Sequence, residues 1–125
     1  MKALTKSNKE YYRVWIYDNL MVVYFIANYN VTDQTKYDEY SAAGIATMAP
    51  MMAAGQAKIL VYTSGDGKGV KEGVPQNHLV VIEIESREIA ENWYNSEAYS
   101  SLIKMRQDAT ENAWVVITEK FSPPS

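Results

Sequence analysis

Cysteine is absent and histidine occurs once. The first absence excludes disulfide frameworks, thiolate zinc sites and cysteine nucleophiles, and the second excludes a multi-histidine metal site within one subunit. No stripe of Lys and Arg accumulates, and the net charge is −3. The dense positive footprint that nucleic acid or an anionic membrane demands is therefore missing. The longest apolar run, Leu20 to Ala27, falls well short of the ~20 residues that span a bilayer. It also makes a poor signal peptide, with Asp18 just before it and no small-residue cleavage site. The expectation is a cytoplasmic protein with no nucleic-acid or membrane partner. No cofactor motif is present either: Ser64 to Gly69 (SGDGKG) is glycine-rich but lacks G-x-x-x-x-G-K-[ST] and no helix follows it.

What remains is a chain of 125 residues, enough for one core but not two. With 47% hydrophobic and 22% charged residues it has the composition of a globular domain. The first twenty residues differ from the rest. They carry a net charge of +2, leaving −5 for the remainder, and Tyr11, Tyr12, Trp15, Ile16 and Tyr17 make them too aromatic for a free tail. Two readings compete: residues 1–20 are an arm that packs on the domain or its partner, or Met21 is the natural start and the arm an upstream extension. The domain itself is expected over 21–120, with a short tail at 121–125.

From Met21 the periodicities are clear. Val22 to Val31 is β-branched and aromatic without Gly or Pro and predicts a central strand. Thr32-Asp33 supplies a helix cap, after which Tyr37, Tyr40, Gly44, Met48 and Met51 or Met52 recur at helical spacing. Pro50 is expected to kink or interrupt that helix and Gly55 to end it. Ala57 to Thr63 predicts a second strand, Val70 to Gly73 a short one in an extended hairpin, and Asn77 to Glu85 a third. Ser86 caps a second helix bearing Ile89, Ala90, Trp93 and Tyr94, restarted at Asn95-Ser96 and carried on by Tyr99, Leu102, Met105 and Ala109. Trp114 to Thr118 is the last strand.

The order β-α-β-(β)-β-α-β makes two split βαβ units: an α+β, ferredoxin-like antiparallel sheet with both helices on one face. Strands one and three are apolar on both faces, as strands are when both sides are buried. A second copy of the sheet is the simplest cover for the other face, so a homodimer is expected.

The run from Asp33 with Tyr37 and Tyr40, through Glu72-Gly73 and His78 to Tyr99, then Arg106, resembles the domain-of-unknown-function family numbered 1330. The most specific part is a strand ending near Glu83, then Ser86, the aromatic pair Trp93-Tyr94, Ser96, Tyr99 and Arg106. The resemblance covers Met21 to about Lys120 and implies a dimeric α+β barrel, two sheets closing face to face. It brings no reaction. The wider barrel group holds cofactor-free monooxygenases, polyketide cyclases, lactone isomerases and plain binding proteins, and fold does not choose among them.

Candidate chemistry rests on a few side chains. His78 alone has an unperturbed pKa near neutrality and is the acid/base candidate; the plainer reading is a rim histidine satisfied by backbone or water. Glu83 shares a face with Leu79 and Val81, opposite His78. There it could act as a base, or pair with Arg106 or Asn28 to tie helix to sheet, the reading that leads. Arg106 could also hold an oxyanion. Tyr37, Tyr40, Trp93 and Tyr99 could line an aromatic pocket or simply fill the core, and Glu72 sits where a hairpin could cover a pocket mouth. The expected partner is a small hydrophobic or aromatic molecule. Two functions stay open: a cofactor-independent enzyme of proton-transfer type (isomerase, cyclase or lyase, with a metal-free oxygenase as a narrower version), and a non-catalytic binding or structural homodimer.

Overall fold

The structure, a computed structural model, describes residues 21–123. The arm expected at 1–20 and the last two residues of the tail lie outside them. Val23–Val31 forms β1, Gln34–Ala53 α1, Ala57–Thr63 β2, His78–Ile84 β3, and Thr110–Glu119 β4. Between β3 and β4 run three short helices, α2 (Arg87–Tyr94), α3 (Glu97–Ser100) and α4 (Ile103–Ala109). The strands make one antiparallel sheet in the order β2-β3-β1-β4, which is the ferredoxin-like arrangement.

Local chemistry sets the boundaries. The Asp33 carboxylate accepts the Lys36 amide at 3.0 Å and starts α1. Pro50 does not interrupt it: α1 runs on to Ala53. It stands in the last turn, where only one intrahelical bond is forfeited, and its carbonyl still accepts the Ala54 amide at 3.1 Å. Gly55, at φ +74°, then reverses the chain. Ser86 caps α2 through the Ile89 amide, and Ser96 caps α3 through the Tyr99 amide. The strand expected at Val70 to Gly73 does not form. Segment 64–77 is irregular apart from a 3₁₀ turn at Gly65–Gly67, because its glycines and Pro75 leave no alternation to pair.

Alternation divides the sheet into two faces. Val23, Phe25, Ala27 and Tyr29 of β1 and His78, Val80, Ile82 and Ile84 of β3 point towards the helices and are buried. Ile26, Leu79, Val81, Trp114 and Val116 are in register on the opposite face, which no helix among the described residues covers. Two irregularities matter. A bulge at Leu60 sets Val61 rather than Leu60 opposite Val81, so Ile59 and Tyr62 both turn to the helix side. A second, between Asn28 and Asn30 on the β4 side, is accommodated by Asn112 at φ +53°. No helix among the described residues is long and apolar enough to cross a membrane.

Candidate functional site

A cavity of about 50 Å³ lies between the sheet and α1, lined by Phe25, Met48, Ile59, Val80 and Ile82 and by a ring of aromatic side chains. Helical spacing brings Tyr37, Tyr40, Gly44 and Met48 of α1 to one wall. The cap at Ser96 folds α3 back so that Tyr99 lies against Trp93, ring centroids 4.1 Å apart. Trp93 in turn donates its indole N–H to Thr47 at 3.0 Å and meets Phe25 edge-on.

Two hydroxyl relays reach this cavity. In the first, the Tyr29 and Tyr37 hydroxyls are 2.8 Å apart and Tyr37 is 2.8 Å from His78 Nε2. The Tyr29 ring stacks on the imidazole, opposite which register places it. His78 is 2% exposed and its Nδ1 has no partner among the described residues. Burial, with the nearby Lys68 ammonium, lowers its pKa, so the imidazole is neutral at pH 7. Burial likewise pushes the Tyr29 and Tyr37 phenols well above their usual range, so both keep their protons.

The second relay ends on a cation. Tyr40 and Tyr99 hydroxyls lie 2.6 Å apart, and Arg106 Nη1 donates to Tyr99 at 3.1 Å. Arg106 is 4% exposed, its Nε is unpartnered, and none of the ion pairs among the described residues includes it. Burial opposes its charge, but the surrounding Tyr99 and Tyr40 phenols outweigh that and hold its pKa above the ordinary guanidinium range. Burial raises the Tyr99 pKa as well. At the mouth, Ser41 Oγ and the Tyr62 hydroxyl meet at 2.6 Å, and Tyr62 stands edge-on to His78.

A family model described as a domain of unknown function, DUF1330, matches residues 22–120. The chain belongs to this family. No curated protein matches it in sequence. Solved structures share the DUF1330 chain's fold at low identity. A protein of unknown function from Rhodopseudomonas palustris is 13% identical with TM-score 0.63, covering 97% of each chain. A hydroxynitrile lyase from Passiflora edulis is 15% identical with TM-score 0.61, over 85% of this chain and 99% of its own. A protein from Thermobifida fusca, described as dimeric and ferredoxin-like, is 12% identical with TM-score 0.53, over 80% and 92%. These likenesses establish the fold and nothing further.

The residues singled out in the DUF1330 sequence separate into three groups. Tyr37, Tyr40, Trp93 and Tyr99 line the cavity, and His78 and Arg106 stand directly behind its tyrosines. Asn28 does not line it. Its side chain donates to the Gln76 and His78 carbonyls and accepts the Gln76 amide, pinning the start of β3. Glu83 and Glu72 lie elsewhere. Glu83 pairs with neither Arg106 nor Asn28; it sits on the open face with Lys120 at 3.9 Å, because strand parity puts it opposite His78 while Arg106 is on the helix side. It borders a wider depression of about 250 Å³ with Lys58 and Glu85, where no buried polar network converges. Glu72 is exposed in segment 64–77. Sequence reasoning missed Tyr29, Ser41 and Tyr62. Tyr29 was legible as a strand residue on the His78 face, whereas Tyr62 reaches the site only through the Leu60 bulge. Among the described residues no cluster of His, Asp and Glu could hold a metal ion.

Proposed function

We propose that the helix-side cavity binds a small hydrophobic or aromatic molecule and moves a proton on it without a cofactor. The observation that carries this reading is the pair of relays meeting at one apolar cavity, one ending on a neutral base and one on a cation. A proton leaving a carbon beside a carbonyl would pass to a relay tyrosine oxygen and, by successive transfer, to His78 Nε2. The electron pair it leaves would move to the carbonyl oxygen at the Tyr40/Tyr99 pair, backed by Arg106. His78, Tyr37 and Tyr29 thus act as base and relay, Tyr40, Tyr99 and Arg106 as oxyanion support, and Phe25, Met48 and Trp93 as the apolar walls.

The half-open cavity holds only a few water molecules, against the roughly 300 Å³ or more of a typical ligand site. A ring enters only if side chains move, and the Tyr62–Ser41 contact at the half-exposed mouth is the one to open. The same observation favours a second reading, a binding protein without catalysis. We further propose that the open face pairs with a second copy. Trp114 and Val116 are 48% and 43% exposed there, Val116 in register with the half-buried Ile26.

Deuterium exchange separates the two readings. With 2-indanone in D₂O, proton NMR should show exchange beside the carbonyl above the buffer rate, abolished by Tyr37→Phe and His78→Gln. A ketone that binds without accelerated exchange establishes the non-catalytic reading instead.

A further inference from the structure

Arg106 presents a problem that the fold does not solve internally. A guanidinium taken out of water costs several kcal/mol unless an anion accompanies it. Among the described residues its aids are all neutral: the Tyr99 hydroxyl to which it donates, the Tyr94 and Tyr40 hydroxyls that also favour its charge, and the Tyr40 ring 6.0 Å away, at the limit of a cation–π contact. No compensating negative charge accompanies it among the described residues.

Counting hydrogens says where that charge would sit. Tyr40 and Tyr99 carry two hydroxyl hydrogens, and their mutual bond consumes one. Arg106 only donates, so it cannot take the other. No other acceptor is bonded to either hydroxyl among the described residues. The pair therefore presents one uncommitted O–H, with a cation behind it, at the wall of an apolar cavity. The neighbouring donor is committed elsewhere, since the Trp93 N–H is bonded to Thr47. A carboxylate or phosphate needs several donors; a single charged oxygen on a planar ring needs one. The walls, Trp93 and Phe25 on one side and Met48 on another, suit such a ring.

We infer that the ligand of this cavity is a phenol or stabilised enol bound as its oxyanion, recognised by the Tyr99 hydroxyl that Arg106 polarises. The inference rests on the cavity being a ligand site. Arg106 is a positioning residue, acting through Tyr99. Tyr99→Phe cuts the link between cation and cavity, so recognition fails.

The test uses three probes of the same shape against the full chain: 4-nitrophenol, nitrobenzene and 4-nitrobenzoate. Calorimetry reads affinity, and visible absorbance reads whether bound 4-nitrophenol is ionised. In wild type, 4-nitrophenol should bind as phenolate at a pH where the free compound is mostly protonated. It should bind about tenfold or more tighter than either other probe. Arg106→Met removes the cation behind Tyr99 and should weaken the phenolate band. Tyr99→Phe should lose it while binding nitrobenzene as wild type does, which also shows that the variant is folded. Equal affinity for nitrobenzene, tighter binding of 4-nitrobenzoate, or a bound phenol that stays protonated would overturn the inference and leave the cavity as a ligand site. Failure of all three probes to bind would overturn both.

Discussion

The two faces of the sheet are built from the same four strands and end in different states. On the helix side Tyr29 and Ile84 are fully buried, and polar atoms are joined in relays within the chain. On the other side Leu60, Trp114 and Val116 are left about half exposed, and the polar groups are surface charges such as Glu83 and Lys120. Among the described residues one face is therefore filled by the helices, and its residual strain is chemical: a neutral buried histidine and a cation with no anion beside it. The other is unfinished in area, and its need is for apolar cover. Ligand chemistry is proposed for the first face and assembly for the second.

The largest effect is expected where the chain finishes its own core. Ile84→Ala should cost about 2–5 kcal/mol in denaturant melts at every protein concentration, because the cavity it leaves is sealed. Val116→Ala should cost about 1 kcal/mol or less beyond any change in association; a loss as large as that of Ile84→Ala would erase the distinction between the faces. Next in size is the assembly effect. Val116→Lys should convert a dimer into a folded monomer by sedimentation at micromolar concentration, and a wild-type monomer there would contradict the account of the open face.

A smaller effect concerns pH. His78 has a lowered pKa in the folded chain, so below its usual value of 6.5 the unfolded chain takes up a proton that the folded chain refuses. Stability should fall as pH drops through 6.5 towards the folded pKa and be fully restored above it. His78→Gln should flatten that part of a Tm-against-pH curve. The smallest change is on the cavity wall. A Cβ at Gly44 would meet the Tyr99 and Tyr40 rings at 3.8 and 3.9 Å, ordinary contact distances. Gly44→Ala should therefore raise stability by about 0.5–1 kcal/mol, the helical preference for alanine, while weakening ligand binding by narrowing the cavity.

Much of this architecture was legible because it rests on period and punctuation. The two-residue alternation of β1 and β3 and the caps at Asp33, Ser86 and Ser96 fall where the sequence puts them. Parity also separated His78 from Glu83 correctly. What parity could not reveal is which face would hold the cavity. The relays lie between sheet and helices. Nor could it show that His78 and Arg106 work behind tyrosines, since that depends on how α1 and α3 pack across β1 and β3. Tyr62 was illegible for a sharper reason: one extra residue at Leu60 reverses the alternation of β2, and nothing in AKILVYT announces it.

The claim that the helix-side cavity is the ligand site is tested most directly by mapping amide shifts in ¹⁵N-labelled protein titrated with 4-nitrophenol. The account predicts saturable shifts concentrated on Tyr37, Tyr40, Gly44, Trp93 and Tyr99. Shifts centred instead on Leu60, Trp114 and Val116, or no saturable shift, would contradict it.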